Sequence, residues 1–415
     1  MGEGEVVKPG RWSLDVGRQR MVEDAPKTTY GKTSDQLPVL GSRFVPEGGE
    51  ADLGSVSQNL IIRSDMAKAS SVVEIEGKHL SLTNLDKVLY PATGFTKGQV
   101  IDYYARIAPV LVPHLAGRSL TLKRYPEGVD KEYFFEKNAT KHRPDWVKTA
   151  PVWSEGNQRN VNYILCNDLA TLIWIANLAS IELHPSLSLA KNIASPRSMV
   201  FDLDPGAPAN IVQCCRVGLW LRDIFDHFGL QSFPKTSGSK GLQIYVPLNT
   251  PTSYDATKTF SHALARLLEN EHRDLVVSDM KKQLRVGKIF VDWSQNDEHK
   301  TTIGVYSLRA REHPTVSTPV KWEEVEQALK KKDAALLVFE AGQVLERVQK
   351  MGDLFEPVLT LKQKLPKLAG IAEAAPPTME GRLELAAQAD SVGLKKKKAS
   401  PRSKRSTSKK KRRKV

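Results

Sequence analysis

Phe201-Asp202-Leu203-Asp204-Pro205-Gly206 sets two carboxylates two residues apart in an apolar run that stops at a Pro-Gly turn. Side chains two apart on a strand share a face, so the spacing predicts Asp202 and Asp204 on one side and Phe201 and Leu203 toward a core. Neighbouring acids repel, and a cation between them removes the cost. Lys288-Ile289-Phe290-Val291-Asp292-Trp293 is a second apolar strand that carries one acid. Three such carboxylates converging form a hard oxygen cage suited to magnesium or manganese. Two ions held about 4 Å apart in such a cage is what two-metal phosphoryl transfer needs. Taken alone, Asp-x-Asp before Pro-Gly is equally a tight, soluble turn, so the inference needs an independent element.

That element follows about thirty residues on, as Lys235-Thr236-Ser237-Gly238-Ser239-Lys240-Gly241-Leu242-Gln243-Ile244-Tyr245-Val246. A short Ser/Gly/Lys loop entering an apolar strand gathers backbone N–H groups, a hydroxyl and an ammonium, which suits a triphosphate. The glycines allow close backbone approach to an anion. The spacing is not that of a Walker A loop, and by itself the segment is also consistent with a hairpin turn carrying a solvated lysine.

The elements that must position these groups alternate strand and helix. A strand ends at Asp204, a helix is predicted over 209–228, and the loop follows. A strand over 242–248 leads to a helix over 254–272, and strands near 274–278 and 287–293 return Asp292 to the first strand. This β-α-β-β-α-β order predicts an α/β (α+β) catalytic module with mostly antiparallel strands flanked by helices. Ile211, Cys215, Gly218, Leu221 and Phe225 form the inward stripe of the first helix. A helix over 167–180, with Asn167 and Asp168 as cap candidates, packs between this module and an N-terminal one.

The motifs in order, Phe-Asp-Leu-Asp-Pro, Thr-Ser-Gly-Ser-Lys-Gly-Leu and Val-Asp-Trp-Ser-Gln-Asn, resemble those of the polymerase domain of bacterial ligase D, a member of the archaeo-eukaryotic primase superfamily that acts in non-homologous end joining. Further matches are Leu-Thr-Asn-Leu-Asp-Lys-Val-Leu-Tyr-Pro at 82–91, Phe-Phe-Glu-Lys-Asn at 134–138, Glu-Leu-His-Pro at 182–185 and Tyr-Ser-Leu-Arg-Ala-Arg-Glu-His-Pro-Thr-Val at 306–316. The resemblance spans roughly residues 71–365. It implies a primase-like fold, with an N-terminal α/β module and an RRM-like catalytic part at about 195–315.

The resemblance also implies residue roles. Asp202, Asp204 and Asp292 fall on the catalytic, metal-binding carboxylates, for two ions of Mn2+ or Mg2+. His184, Ser237, Lys240, Gln243 and Arg309 fall on positions that contact the nucleoside triphosphate. Lys87 and Lys97 match a pocket for the 5′-phosphate of gapped DNA, Phe134 and Phe135 a pair that stacks on the template, and Arg285 a loop arginine that helps to order the active site. Lysines suit a phosphate as point charges, and aromatic rings suit any base. One position departs from the pattern: the family usually has His where Gln243 stands, and an amide can donate a hydrogen bond but carries no charge.

The resemblance implies template-dependent extension of primers and filling of short gaps at broken ends, with ribonucleotides preferred and priming as an alternative activity. Two rival classes use some of the same residues. A two-metal nuclease has no use for the triphosphate loop, and a non-catalytic end-bridging module has no use for clustered acids beside an anionic ligand.

Net charge is +14, but residues 395–415 hold 13 Lys or Arg and no acid, leaving 48 basic residues against 47 acidic ones elsewhere. The surplus is therefore a tail, residues 366–415, expected to be disordered and to grip DNA in a salt-sensitive way, although its end also resembles a nuclear import signal. DNA contacts of the body must then come from local patches such as Lys87, Lys97, Lys123 and Arg124. Residues 1–70, rich in Gly, Pro and mixed charge, are expected to be a flexible extension ahead of a primase-polymerase domain over 71–365. Cys166, Cys214 and Cys215 include no Cys-x-x-Cys pair, which argues against zinc and disulfides. With no apolar run of membrane-spanning length, a bacterial cytoplasmic, nucleoid-associated location is expected, with no membrane partner. No Lys-x-Asp-Gly ligase motif or phosphoesterase signature is present, so Ku and a separate DNA ligase are the expected partners.

Overall fold

The chain divides into two units, Met1–Ser55 and Val56–Val415. The computed structural model describes residues 61–63, 70–154 and 158–367, all in the second unit. Nearly all of the expected basic tail and of the expected N-terminal extension lies outside the described residues. Within the latter stretch, Ile61–Arg63 is a strand (β1) that pairs antiparallel with β2 (Ser70–Ile75), and β2 pairs with β3 (Lys78–Thr83).

A small hairpin, β4 (Val88–Tyr90) and β5 (Phe95–Thr96), leads into α1 (Lys97–Leu115). A reciprocal capping box between Thr96 and Gln99 opens that helix and satisfies two otherwise orphaned backbone donors. The first large sheet then collects β6 (Leu120–Arg124), β7 (Phe134–Glu136), β8 (Thr149–Ser154), β9 (Arg159–Ile164) and, after α2 (Leu169–Asn177), β10 (Ser180–Pro185). Its order is β10-β6-β9-β8, with β7 paired to β6.

The apolar segment of α2 is buried almost all round, as the absence of a polar stripe predicts. Of the two cap candidates, the Asp168 side chain accepts the Thr171 backbone N–H, whereas Asn167 accepts that of Gly117 and ties α2 to the end of α1.

After the hairpin β11 (Ser188–Leu189) and β12 (Asn192–Pro196) comes the expected strand–helix alternation: β13 (Ser198–Pro205), α3 (Ile211–His227), β14 (Phe233–Thr236), β15 (Leu242–Pro247), α4 (Tyr254–Glu271), β16 (Val276–Val277) and β17 (Ile289–Asp292). The sheet order is β14-β15-β13-β17-β16, antiparallel except for the β16–β17 pair. With the acid strand β13 central, this is the order that a β-α-β-β-α-β unit forms. Three helices close the described chain: α5 (Trp322–Lys331), α6 (Ala341–Met351) and α7 (Pro357–Thr360).

Two hydrophobic cores explain where a site can lie. Phe201, Leu203, Leu242, Ile244, Ile289 and Val291 pack with the apolar stripes of α3 and α4. The other core gathers α1, α2 and the first large sheet, and takes in Val200 and Tyr245 from the second sheet. Alternation therefore commits one face of the second sheet to its helices and turns the other, with Asp202 and Gln243, toward the N-terminal module.

Candidate active site

One cross-strand row organises the centre. Lys235 on β14 is the register partner of Gln243 on β15, Gln243 of Asp202 on β13, and Asp202 of Asp292 on β17. Four strands thus set an ammonium, an amide and two carboxylates side by side, and Asp204 stands one pleat further along the Asp202 face. Burial, then Asp204 and Asp292, push the Asp202 carboxyl up to about 7, against the pull of a Gln243 hydrogen bond and Lys235. Burial and Asp292 raise Asp204 as well, opposed by Arg285 and Arg309. Asp292 accepts the Ser294 backbone N–H and hydroxyl at one oxygen and the Gln295 amide at the other.

The chemistry of this donor set fits a divalent ion: three hard oxygen donors on adjacent strands, two of them held above the ordinary carboxylate range by their surroundings and their neighbours. Among the described residues no three His, Cys, Asp or Glu side chains are drawn together as a ready-made cage, and Asp292 spends three hydrogen bonds on its own turn.

The Ser237–Lys240 segment is the β14–β15 hairpin loop. Its Ser237 hydroxyl accepts the backbone N–H groups of Ser239 and Gly241 at 3.3 and 3.1 Å, while Lys240 lies exposed at the tip. Two close approaches require glycine there. A Cβ on Gly241 would stand 2.3 Å from the Leu203 carbonyl oxygen, and one on Gly238, at φ +66°, would stand 2.5 Å from the Val316 backbone. The loop is held from the 309–315 segment, where the Arg309 guanidinium donates to the Ser237 carbonyl, Arg311 to the Ser239 hydroxyl, and Thr315 to the Gly238 carbonyl at 2.6 Å.

Arg309 and His184 meet on Glu182, a buried acid that sequence reasoning did not single out. Its carboxylate accepts Arg309 Nε at 3.2 Å and the Ala310 N–H at 3.1 Å, and its other oxygen lies 3.0 Å from His184 Nε2. Burial works to raise this carboxyl, but the His184 hydrogen bond and the Arg309 charge hold it down at about 2. Phe135 packs edge-on against His184, with ring centroids 6.2 Å apart. Phe134 and Phe135 are 45% and 56% exposed, so the pair forms a surface aromatic patch whose Phe135 end meets His184. Arg124 lies over Phe134, and Lys123 over Tyr133, at 3.9 Å from its ring.

Arg285 stacks on Phe290 at 3.6 Å and donates to the Met280 carbonyl. Its charge reaches Asp204, and backbone bonds join its loop to the Pro-Gly turn, from Gly206 to Lys288 and from Gly287 to Gly206. Lys87 and Lys97 form a separate cluster at the start of α1. Lys97 is 5% exposed, and its ammonium donates to the Thr83 carbonyl at 2.6 Å. Burial, then Lys87 and Arg124, press Lys97 down to about 8. Lys87 pairs with Glu127 at 2.8 Å. The Tyr90 hydroxyl, donating to the Arg309 carbonyl at 3.0 Å, links this hairpin to the 309–315 segment.

Lys235 is the second residue that sequence reasoning passed over. It is fully buried, donates to Gln243 Oε1 at 2.5 Å and to the Ser317 hydroxyl at 2.6 Å, and lies 5.6 Å from the centre of the Tyr245 ring. Gln243, 2% exposed, therefore has both ends of its amide engaged, one by Lys235 and the other on Asp202.

Comparison with known proteins places the arrangement among relatives. A family model described as the LigD primase-polymerase domain matches residues 96–355. The chain is 42% identical over 283 residues to a multifunctional non-homologous end-joining protein LigD of Mycolicibacterium smegmatis, covering 68% of this chain and 36% of that one. It is 32% identical over 274 residues to a bifunctional LigD of Bacillus subtilis, covering 66% and 43%. The chain thus spans less than half the length of these relatives. A solved polymerase domain of Mycobacterium tuberculosis ligase D in complex with DNA matches with a TM-score of 0.63 at 40% identity, covering 68% of this chain and 99% of that one.

Proposed function

The chain belongs to the ligase D primase-polymerase family, whose domain is a nucleotidyltransferase, and from that premise we propose that it extends primers and fills short gaps at broken DNA ends, with ribonucleotides preferred. The observation that carries this reading is the Asp202–Asp292 register pair with Asp204 beside it, facing the loop tethered by Arg309. A nuclease would need the acids but not that loop.

Asp202, Asp204 and Asp292 would hold two divalent ions, Mn2+ or Mg2+, which when bound favour loss of the primer 3′-hydroxyl proton and screen the triphosphate. Ser237, Lys240, Arg309 and His184 bind and orient the triphosphate, and Lys240 and Arg309 offset its charge as pyrophosphate departs. Attack of the 3′-oxygen forms the new P–O bond at the α-phosphorus and breaks the α–β anhydride. Glu182 keeps Arg309 and His184 in place for this. Phe134 and Phe135 stack on template bases, and Lys87 and Lys97 hold the 5′-phosphate across the gap. Arg285 steadies Asp204 through the Phe290 stack. Ku and a separate DNA ligase are the proposed partners at the end.

The test is extension of a primer across a short gap, with and without a 5′-phosphate, using ribo- or deoxyribonucleotides and Mn2+ or Mg2+. Faster ribonucleotide addition that depends on the 5′-phosphate is the expected result. Tight binding of the gapped DNA with no addition under any pairing would overturn it.

A further inference from the structure

We propose that Lys235 is a positioning residue for the ion site: it acts through Gln243, fixing the amide so that its N–H end serves Asp202, and the cross-strand row Lys235–Gln243–Asp202 works as one unit. The proposal rests on the reading of Asp202 as a metal ligand.

A lysine ammonium with no carboxylate hydrogen-bonded to it is expensive to bury. Lys235 is nevertheless fully buried, and its hydrogen-bond partners are neutral oxygens of Gln243 and Ser317. The Ser317 hydroxyl spends its proton on the Thr236 carbonyl at 3.0 Å, so toward Lys235 it acts as an acceptor. Gln243 has one carbonyl and one NH2 group, and the two cannot exchange roles. With Lys235 donating to the carbonyl oxygen, the NH2 must face the other way, where its register partner Asp202 stands. An uncharged strand residue at 235 would leave the amide free to turn its oxygen toward Asp202, presenting a second acceptor to a carboxylate already beside two others. The burial therefore makes sense as orientation of a ligand's support. Partners of this kind typically change metal affinity about 10–100-fold when removed.

The experiment is Mn2+ binding, followed by the loss of the free-ion electron paramagnetic resonance signal, without DNA or nucleotide. The proteins are wild type, Lys235→Met, Gln243→Met, the double variant and Asp202→Asn. Lys235→Met keeps the volume but removes a charge that offsets Asp202 and the donor to the Gln243 oxygen, so it is expected to melt somewhat lower than wild type without metal and to bind Mn2+ about tenfold more weakly. Gln243→Met is expected to show a similar loss, and the double variant no more than either single one, because the two act in series. Ser317→Ala, which removes only one anchor of Lys235, gives a milder loss and serves if Lys235→Met fails to fold. Wild-type affinity in Lys235→Met, or losses that add in the double variant, would overturn the proposal while leaving the ion site intact. Equal binding by wild type and Asp202→Asn would overturn the ion-site reading as well.

Discussion

The acid row of the β13 sheet and the lysine pair at the start of α1 hold charge of opposite sign under the same kind of stress. In the first, Asp202 and Asp204 are pushed up by burial and neighbouring acids. In the second, Lys97 is pressed down by burial, Lys87 and Arg124. Each cluster costs the fold stability while its charge stays uncompensated, and on the proposed function a divalent cation would relieve the first and a phosphate the second. The compensation differs too. The acids are answered from within by a strand-borne relay, Lys235 and Gln243, whereas Lys97 is answered by a neutral carbonyl and hydroxyl of Thr83. On the proposed function, the sheet would fix the geometry of an ion site, whereas the hairpin and helix terminus need only offer charge to a phosphate.

Breaking the acid side has the largest expected effect. Asp202→Ala or Asp204→Ala should lower single-turnover extension by about a thousandfold, the value of several kcal/mol of charge stabilisation, while affinity for gapped DNA, measured by fluorescence anisotropy, changes little. On the other side, Phe134→Ala with Phe135→Ala should weaken binding of a template overhang by about thirtyfold or more, since each of the two base–aromatic stacks is worth about 1–3 kcal/mol. Lys87→Ala should lower the salt slope of 5′-phosphorylated gap binding by about 1, and do nothing to the slope for the unphosphorylated gap.

Two pH effects of opposite origin sharpen the contrast. An ammonium must be protonated to hold a phosphate, so the preference for a 5′-phosphate should fade as pH rises through about 8 in wild type, and persist in Lys97→Arg, whose guanidinium stays charged. Asp202 has a folded value above its unfolded one. The folded state then holds the extra proton, and stability without metal falls as pH climbs from about 4. Asp202→Asn removes that cost. In a chelator it should melt about 5 °C above wild type at pH 8, a gap that closes near pH 4, as thermal melts across the range would show.

Much of this was legible in the chain. Period-two alternation around Asp202 and Asp204, and the run ending at Asp292, are enough to set acids on one face, because a strand fixes side-chain direction. The order of strands and helices then fixes which strands pair. Lys235 was not legible: a lysine entering a hairpin is ordinarily solvated, and its burial depends on Ser317, 82 residues away, which local sequence does not connect to it. Glu182 left a signal that was passed over, since Glu182 and His184, two apart on β10, must share a face. Its hold on Arg309, 127 residues away, depends on tertiary packing alone.

The most direct measurement is addition of one ribonucleotide to a primer at a 5′-phosphorylated gap with Mn2+, comparing wild type and Asp204→Ala at equal occupancy of the DNA. Addition by wild type that vanishes in the variant is the predicted result. Equal addition by both would contradict the assignment of the acid row as the site of nucleotidyl transfer.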